Sequence, residues 1–73
     1  MQKHKYIKTV EGKIVIFPCE IEHSKFRFLN PVTVGFCLIE DKEVKCMGMS
    51  LSLDLFADPK NDSLQATNQL FGT

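Results

Sequence analysis

The chain has 73 residues, 44% of them apolar and 25% charged, which excludes a disordered or low-complexity polymer and leaves room for one small core. Nine Lys and Arg balance nine Asp and Glu, so no global field draws the protein to nucleic acid or to an anionic membrane. No stretch reads as a signal peptide or as a membrane span, and three cysteines without an export signal point to reduced thiols in a cytoplasmic protein.

Taken in chain order, the basic head comes first: Lys3, Lys5, Lys8 and Lys13 stand against Glu11 alone. Within it, Tyr6 to Val10 and Lys13 to Pro18 are β-prone runs on either side of Glu11-Gly12, which predicts a hairpin. A two-residue loop pairs Ile7 with Ile16 and Thr9 with Ile14; a type I turn with Gly12 in a bulge shifts the pairing by one residue. Residues 19–31 alternate at Lys25-Phe26-Arg27-Phe28, but Ser24 can cap one helical turn that brings Phe26 and Leu29 inward, and the short turn is the preferred reading. Asn30-Pro31 then punctuates the chain.

A second hairpin is expected from Val32 to Ile39 and Val44 to Leu55 around the polar Glu40-Asp41-Lys42-Glu43. Its register matches Val32 with Leu51, Val34 with Met49 and Phe36 with Met47 on one face, a row of large apolar pairs expected to be core. Met49→Ala should therefore act as a core truncation and Ser50→Ala should do little. The opposite face receives Thr33 with Ser50, Gly35 with Gly48, Cys37 with Cys46 and Ile39 with Val44. Finally, Asp58-Pro59 starts a helix that runs to about Phe71, with Leu64, Thr67, Leu70 and Phe71 on one stripe. The fold class expected is α+β, mainly β: two antiparallel hairpins in one twisted sheet or partly closed small barrel, with a short C-terminal helix, in a single domain spanning 1–73.

These residues are compatible in type with four chemistries. Cys19 and His23, with Cys37 beside Cys46 across the second hairpin, hold the donor types of a zinc site, yet Cys37 and Cys46 lie in regular strands rather than on a knuckle, so no metal and no cofactor are expected. Redox use of the Cys37–Cys46 pair lacks a basic neighbour to generate a thiolate. His4 and His23 have no assignable catalytic partners, and Ser50, Ser52 and Asp54 read as a solvated strand face, so no enzyme is expected. Lys3, Lys5, Lys8, Lys13 and Arg27 with Tyr6 resemble in type the basic and aromatic groups that hold single-stranded nucleic acid, which gives the alternative function. The leading expectation is a non-enzymatic interaction or regulatory module that binds protein, including itself as a homodimer. Its partner would sit on Gly35, Gly48, Ile39 and Val44, where small residues permit close approach and an open edge strand invites pairing.

Overall fold

A computed structural model describes residues 2–72. Strand β1 (Gln2–Thr9) is the spine, paired antiparallel with β2 (Ile14–Phe17) on one side and with β3 (Pro31–Glu40) on the other; β3 continues antiparallel to β4 (Glu43–Met47). The sheet order is β2-β1-β3-β4, and the sheet does not close. A two-stranded hairpin, β5 (Met49–Ser50) and β6 (Leu55–Phe56), follows, and helix α1 (Pro59–Phe71) ends the chain. The mainly-β, antiparallel architecture with one C-terminal helix is the one expected from the sequence.

The first hairpin takes the bulged alternative. The Gly12 amide donates to Thr9 O (2.8 Å), the Thr9 amide to Lys13 O (2.8 Å) and the Lys13 amide to Thr9 Oγ1 (3.1 Å). Gly12 sits at φ +89°, a region that glycine enters without steric cost. The register accordingly pairs Tyr6 with Ile16 and Ile7 with Val15, one residue away from the two-residue-loop pairing. Between β2 and β3 the chain crosses in a kinked 3-10 segment, His23–Leu29, whose N-cap position is Glu22 rather than Ser24, with no side-chain cap, and which is stopped by Asn30 at φ 53°. Its Phe26 and Leu29 do turn inward.

In the second hairpin the expected pairs hold for Phe36 with Met47, Cys37 with Cys46 and Ile39 with Val44, then stop. Gly48, at φ +93°, breaks the strand; its carbonyl accepts from the Ala57 amide (2.9 Å), and Met49 and Ser50 pair with Phe56 and Leu55 instead of with β3. A side chain at Gly35 would collide with the Met47 carbonyl. The close approach anticipated at the glycines is thus made by the chain's own bend. Val32–Leu51, Val34–Met49, Thr33–Ser50 and Gly35–Gly48 are not partners, and the core assignment inverts at two neighbours: Ser50 is 5% exposed and Met49 39%.

Both faces of the sheet carry core. Under α1 lie Tyr6, Ile14, Cys37, Val44 and Cys46, closed by Ala66 and flanked by Ile16, Ile39 and Ala57. On the other face Ile7, Phe17 and Val34 are covered by Phe26 and Leu29 from the 3-10 segment and by Leu53 and Leu55 from the β5–β6 hairpin. Arg27 Nη2 donates to Ser52 O (3.3 Å) and ties those two covers together.

The helix begins at Asp58-Pro59 and ends at Phe71 as expected, but it does not dock by its apolar stripe. Asp62 and Ala66 are its buried residues, whereas Leu64 is 64% exposed. The reason lies in the sheet's two edges. Val44 donates its amide to Thr67 Oγ1 (2.9 Å), and that hydroxyl donates to Val44 O (3.1 Å); the Cys46 amide donates to Ser63 Oγ (2.7 Å). At the opposite edge the Ile14 amide donates to Gln69 Oε1 (3.3 Å), Gln69 Nε2 donates to Ile14 O (2.7 Å), and Gln65 Nε2 donates to Gly12 O. Polar side chains on the two flanks of α1 therefore satisfy backbone groups of β4, of β2 and of the turn before it, and small Ala66 packs between helix and sheet.

Candidate functional site

Alternation along β1, β3 and β4 decides what the second face offers beyond its covered half. Lys3 stands beside Leu38 and Leu38 beside Lys45; in the adjacent row Lys5 lies between Phe17 and Phe36, and Phe36 beside Met47. The 3-10 segment and the β5–β6 hairpin cover the row built on Ile7 and Val34, and in the next row the 3-10 segment reaches Phe17 and Phe36 through His23. Lys3 Nζ sits 4.9 Å above the centre of the Phe36 ring, and the buried His23 ring meets Phe36 edge-on at 5.7 Å. His23 is held by its Nε2, which donates to Gly35 O (2.8 Å), because a carbonyl can only accept. Beside Phe36 runs an open groove of about 330 Å³, with Lys5, Glu22, Met49 and Leu51 on its walls. Met47, Met49, Leu51 and Phe56 all expose a third or more of their surface. The result is a thioether and phenyl surface with Lys3 over Phe36 and with Lys5 and Lys45 at neighbouring strand positions, next to the acidic hairpin tip Glu40, Asp41 and Glu43. Lys45 already reaches Glu43 Oε1 at 3.8 Å.

Compared with protein families, curated proteins and solved structures, the chain matches none.

The residues singled out from the sequence separate. Val44 and Gly35 are buried and Ile39 is half-buried beneath α1, so the face offered to a partner is occupied by the chain's own helix; Gly48 is exposed but belongs to the bend. The β4 edge is hydrogen-bonded to α1 along Val44 and Cys46. Of the basic and aromatic set, Lys3 and Lys5 lie on the open face, whereas Tyr6 is fully buried on the other, Lys8 turns to Asp62 there, Lys13 is exposed in the first turn and Arg27 is engaged with Ser52. The four zinc-type ligands do not converge: Cys37 and Cys46 point toward α1, while His23 packs on Phe17 and Phe36 across the sheet and Cys19 Sγ faces Lys3 O at 3.6 Å. Among the described residues no group of three or more His, Cys, Asp or Glu is placed to hold a metal ion.

The two buried thiols are neutral. Burial pushes Cys37 up to about 11, helped by the charge of Cys19, and pushes Cys46 up to about 12, helped by Cys37 and Asp62. Between β1 and α1 lies a charged contact that the sequence did not disclose. Tyr6 Oη donates to Asp62 Oδ2 (2.5 Å), the Asp58 amide donates to the same oxygen (3.1 Å), and Lys8 Nζ stands 3.4 Å from Oδ1. Burial by itself would raise the Asp62 carboxyl, but the Tyr6 hydroxyl, the Asp58 amide and Lys8 outweigh it and hold it below the ordinary value. Tyr6 moves the other way, far above the phenol range, through burial and then the carboxylate it faces. This contact anchors the helix; its one visible signal in the sequence was Asp62 at the fourth helical position, where a carboxylate reaches back to a helix-start amide.

Proposed function

We propose that the protein is a non-enzymatic interaction module that binds protein through the open half of the second sheet face, with a second copy of itself as the partner. The observation that carries this reading is the row Lys5, Phe36 and Met47, continued by exposed Met49 and Phe56. Unbranched thioether side chains adapt to an incoming apolar surface, and lysines around them select a partner that brings carboxylates. Another copy brings such groups in Glu40, Asp41 and Glu43 of its hairpin tip, which gives the self-contact its charge complementarity. Three unpaired thiols suit a reducing compartment, and on that basis we place the module in the cytoplasm. The nucleic-acid alternative is weaker because Lys3 already occupies a face of Phe36, the aromatic nearest the lysines, and Tyr6 is inaccessible.

The test is the solution mass by light scattering over a range of concentrations and salt strengths, with absorbance at 260 nm followed on the same peak. A mass that rises toward twice that of one chain, less readily in high salt and not at all in Met49→Asp, supports the reading. A single-chain mass at every concentration removes the second copy as partner. A peak that carries nucleic acid and sheds it in salt transfers this face to the alternative.

A further inference from the structure

The hydrogen bonds at the β4 edge fix how Cys37 and Cys46 face each other across β3 and β4. The Val44 amide donates to Thr67 Oγ1 and the Cys46 amide to Ser63 Oγ, so both amides point away from β3 and toward α1. Residues directly opposite in an antiparallel ladder alternate between hydrogen-bonded and non-hydrogen-bonded pairs, and Cys37–Cys46 is therefore a non-hydrogen-bonded one. In such a pair the Cα atoms stand about 4.5 Å apart and the side chains are at their closest. That separation falls inside the range of roughly 4.4–6.8 Å that a disulfide spans. Both thiols are free, and both lie in the core layer under α1.

As folded, the two thiols are buried and protonated, so neither attacks a partner. Their cover is held mainly by polar bonds. The buried residues of α1 are Asp62 and Ala66, and its grip on β4 is the hydrogen bonding of Ser63 and Thr67. Elements with few buried apolar contacts open locally at less than the free energy of global unfolding. The hairpin beneath is closed by the Asp41-Lys42 turn, so Cys37 and Cys46 stay opposed when the helix lifts.

We propose that Cys37 and Cys46 are a redox modification site: when α1 lifts, they form a reversible cross-strand disulfide by exchange with a small organic disulfide, and the helix closes over it. One cysteine, as thiolate, attacks a sulfur of the oxidant, forms a mixed disulfide and expels one small thiolate. The other cysteine attacks the protein sulfur of that mixed disulfide and expels the second. Two protein sulfurs are oxidised, the organic disulfide is reduced to two thiols, and the protons given up by the cysteines end on the leaving thiolates. A reducing compartment keeps the pair as thiols, so the bridge forms on an oxidising shift. Because the opening is rare, the pair reacts long after partly exposed Cys19 does. The site lies across the sheet from Phe36 and does not depend on the partner reading.

The test uses Cys19→Ser, which removes pairing between chains, held for hours in native buffer with mixtures of reduced and oxidised glutathione, then quenched in acid and weighed by mass spectrometry. The expected product is a single chain lighter by two hydrogens, whose amount follows the glutathione ratio and which a dithiol reductant reverses. Its amide NMR spectrum should stay dispersed, as a bridge between folded strands requires. Adding Thr67→Val loosens α1 from β4 and should speed the conversion about tenfold, whereas adding Cys37→Ser should abolish it. Glutathione adducts that never resolve, no oxidation with or without Thr67→Val, or a bridged chain with a collapsed spectrum overturn the site. Equal rates with and without Thr67→Val, or a rate that the globally unfolded fraction accounts for, overturn the gating by α1.

Discussion

Asp62 and Tyr6 show how one residue can decide whether a helix docks. A carboxylate with no accessible surface is held by a phenol, an amide and a lysine, and charge-assisted bonds of this kind are the strong ones. Tyr6→Phe removes one of them and leaves the carboxylate short of a donor, so it should cost about 1.5–3 kcal/mol in urea unfolding. The pH dependence follows from direction. Because the folded carboxyl lies below its ordinary 3.8, its stabilisation is complete above that value and is lost as pH falls through the lower, folded one. Urea midpoints of the wild type should therefore drop on acidification below about pH 4, and those of Asp62→Asn should drop less. Cysteines give a second check at this scale: with Cys37 and Cys46 neutral and buried, a thiol reagent at mildly alkaline pH should modify Cys19 in the folded protein and the other two only after denaturation.

Among the elements, α1 is the one whose sequence pattern and docking disagree. Its apolar positions include Leu64, yet Ser63, Ala66, Thr67 and Gln69 meet the sheet, because exposed strand edges need hydrogen bonds as well as apolar cover. Thr67→Val keeps the shape and removes both bonds to Val44, so it should cost about 1–2 kcal/mol, whereas Leu64→Ala should stay within about 0.5 kcal/mol. Ser63→Ala with Thr67→Val frees the β4 edge, and this pair should associate at concentrations where the wild type does not. The turn between β3 and β4 holds Asp41 and Lys42 both at positive φ (51° and 60°), a geometry that asparagine and glycine adopt with less strain. Asp41→Asn with Lys42→Gly should raise stability by about 1 kcal/mol in the same urea assay.

On the scale of the whole molecule, a four-stranded sheet with core on both faces is shielded, among the described residues, by one helix on one face and by two short covers on the other. The consequence is an uneven surface: Ile7 is fully buried, and Met49, a few ångströms of chain beyond the broken ladder, is not. Ile7→Ala should therefore cost about 2–5 kcal/mol, as a core truncation does. Met49→Ala should cost under about 1 kcal/mol, and its effect should appear in association rather than in unfolding. That reverses what pairing to β3 would require of Met49, and the two measurements together check the break at Gly48.

Local chemistry determined much of this fold. Glycine after a polar residue placed the first turn, the run of matched pairs around Cys37–Cys46 set the second hairpin, and Asp-Pro marked the start of α1; each is a preference of a few adjacent residues or of two strands joined by a tight turn. What the tertiary structure decided is everything that depends on contacts distant along the chain. Gly48 ends the ladder at φ +93°, where the Met47 carbonyl lies against Gly35, a contact between residues distant in sequence that no local rule encodes. The helix turns its polar flank inward because two strand edges, each remote from it in sequence, need donors and acceptors. The face with Gly35, Ile39 and Val44 is filled by that helix, which leaves Lys3, Lys5, Phe36 and Met47 as the open surface. Alternation says only that strand residues fall on two faces; which face is covered depends on where the remaining chain has the length and the hydrogen bonds to go.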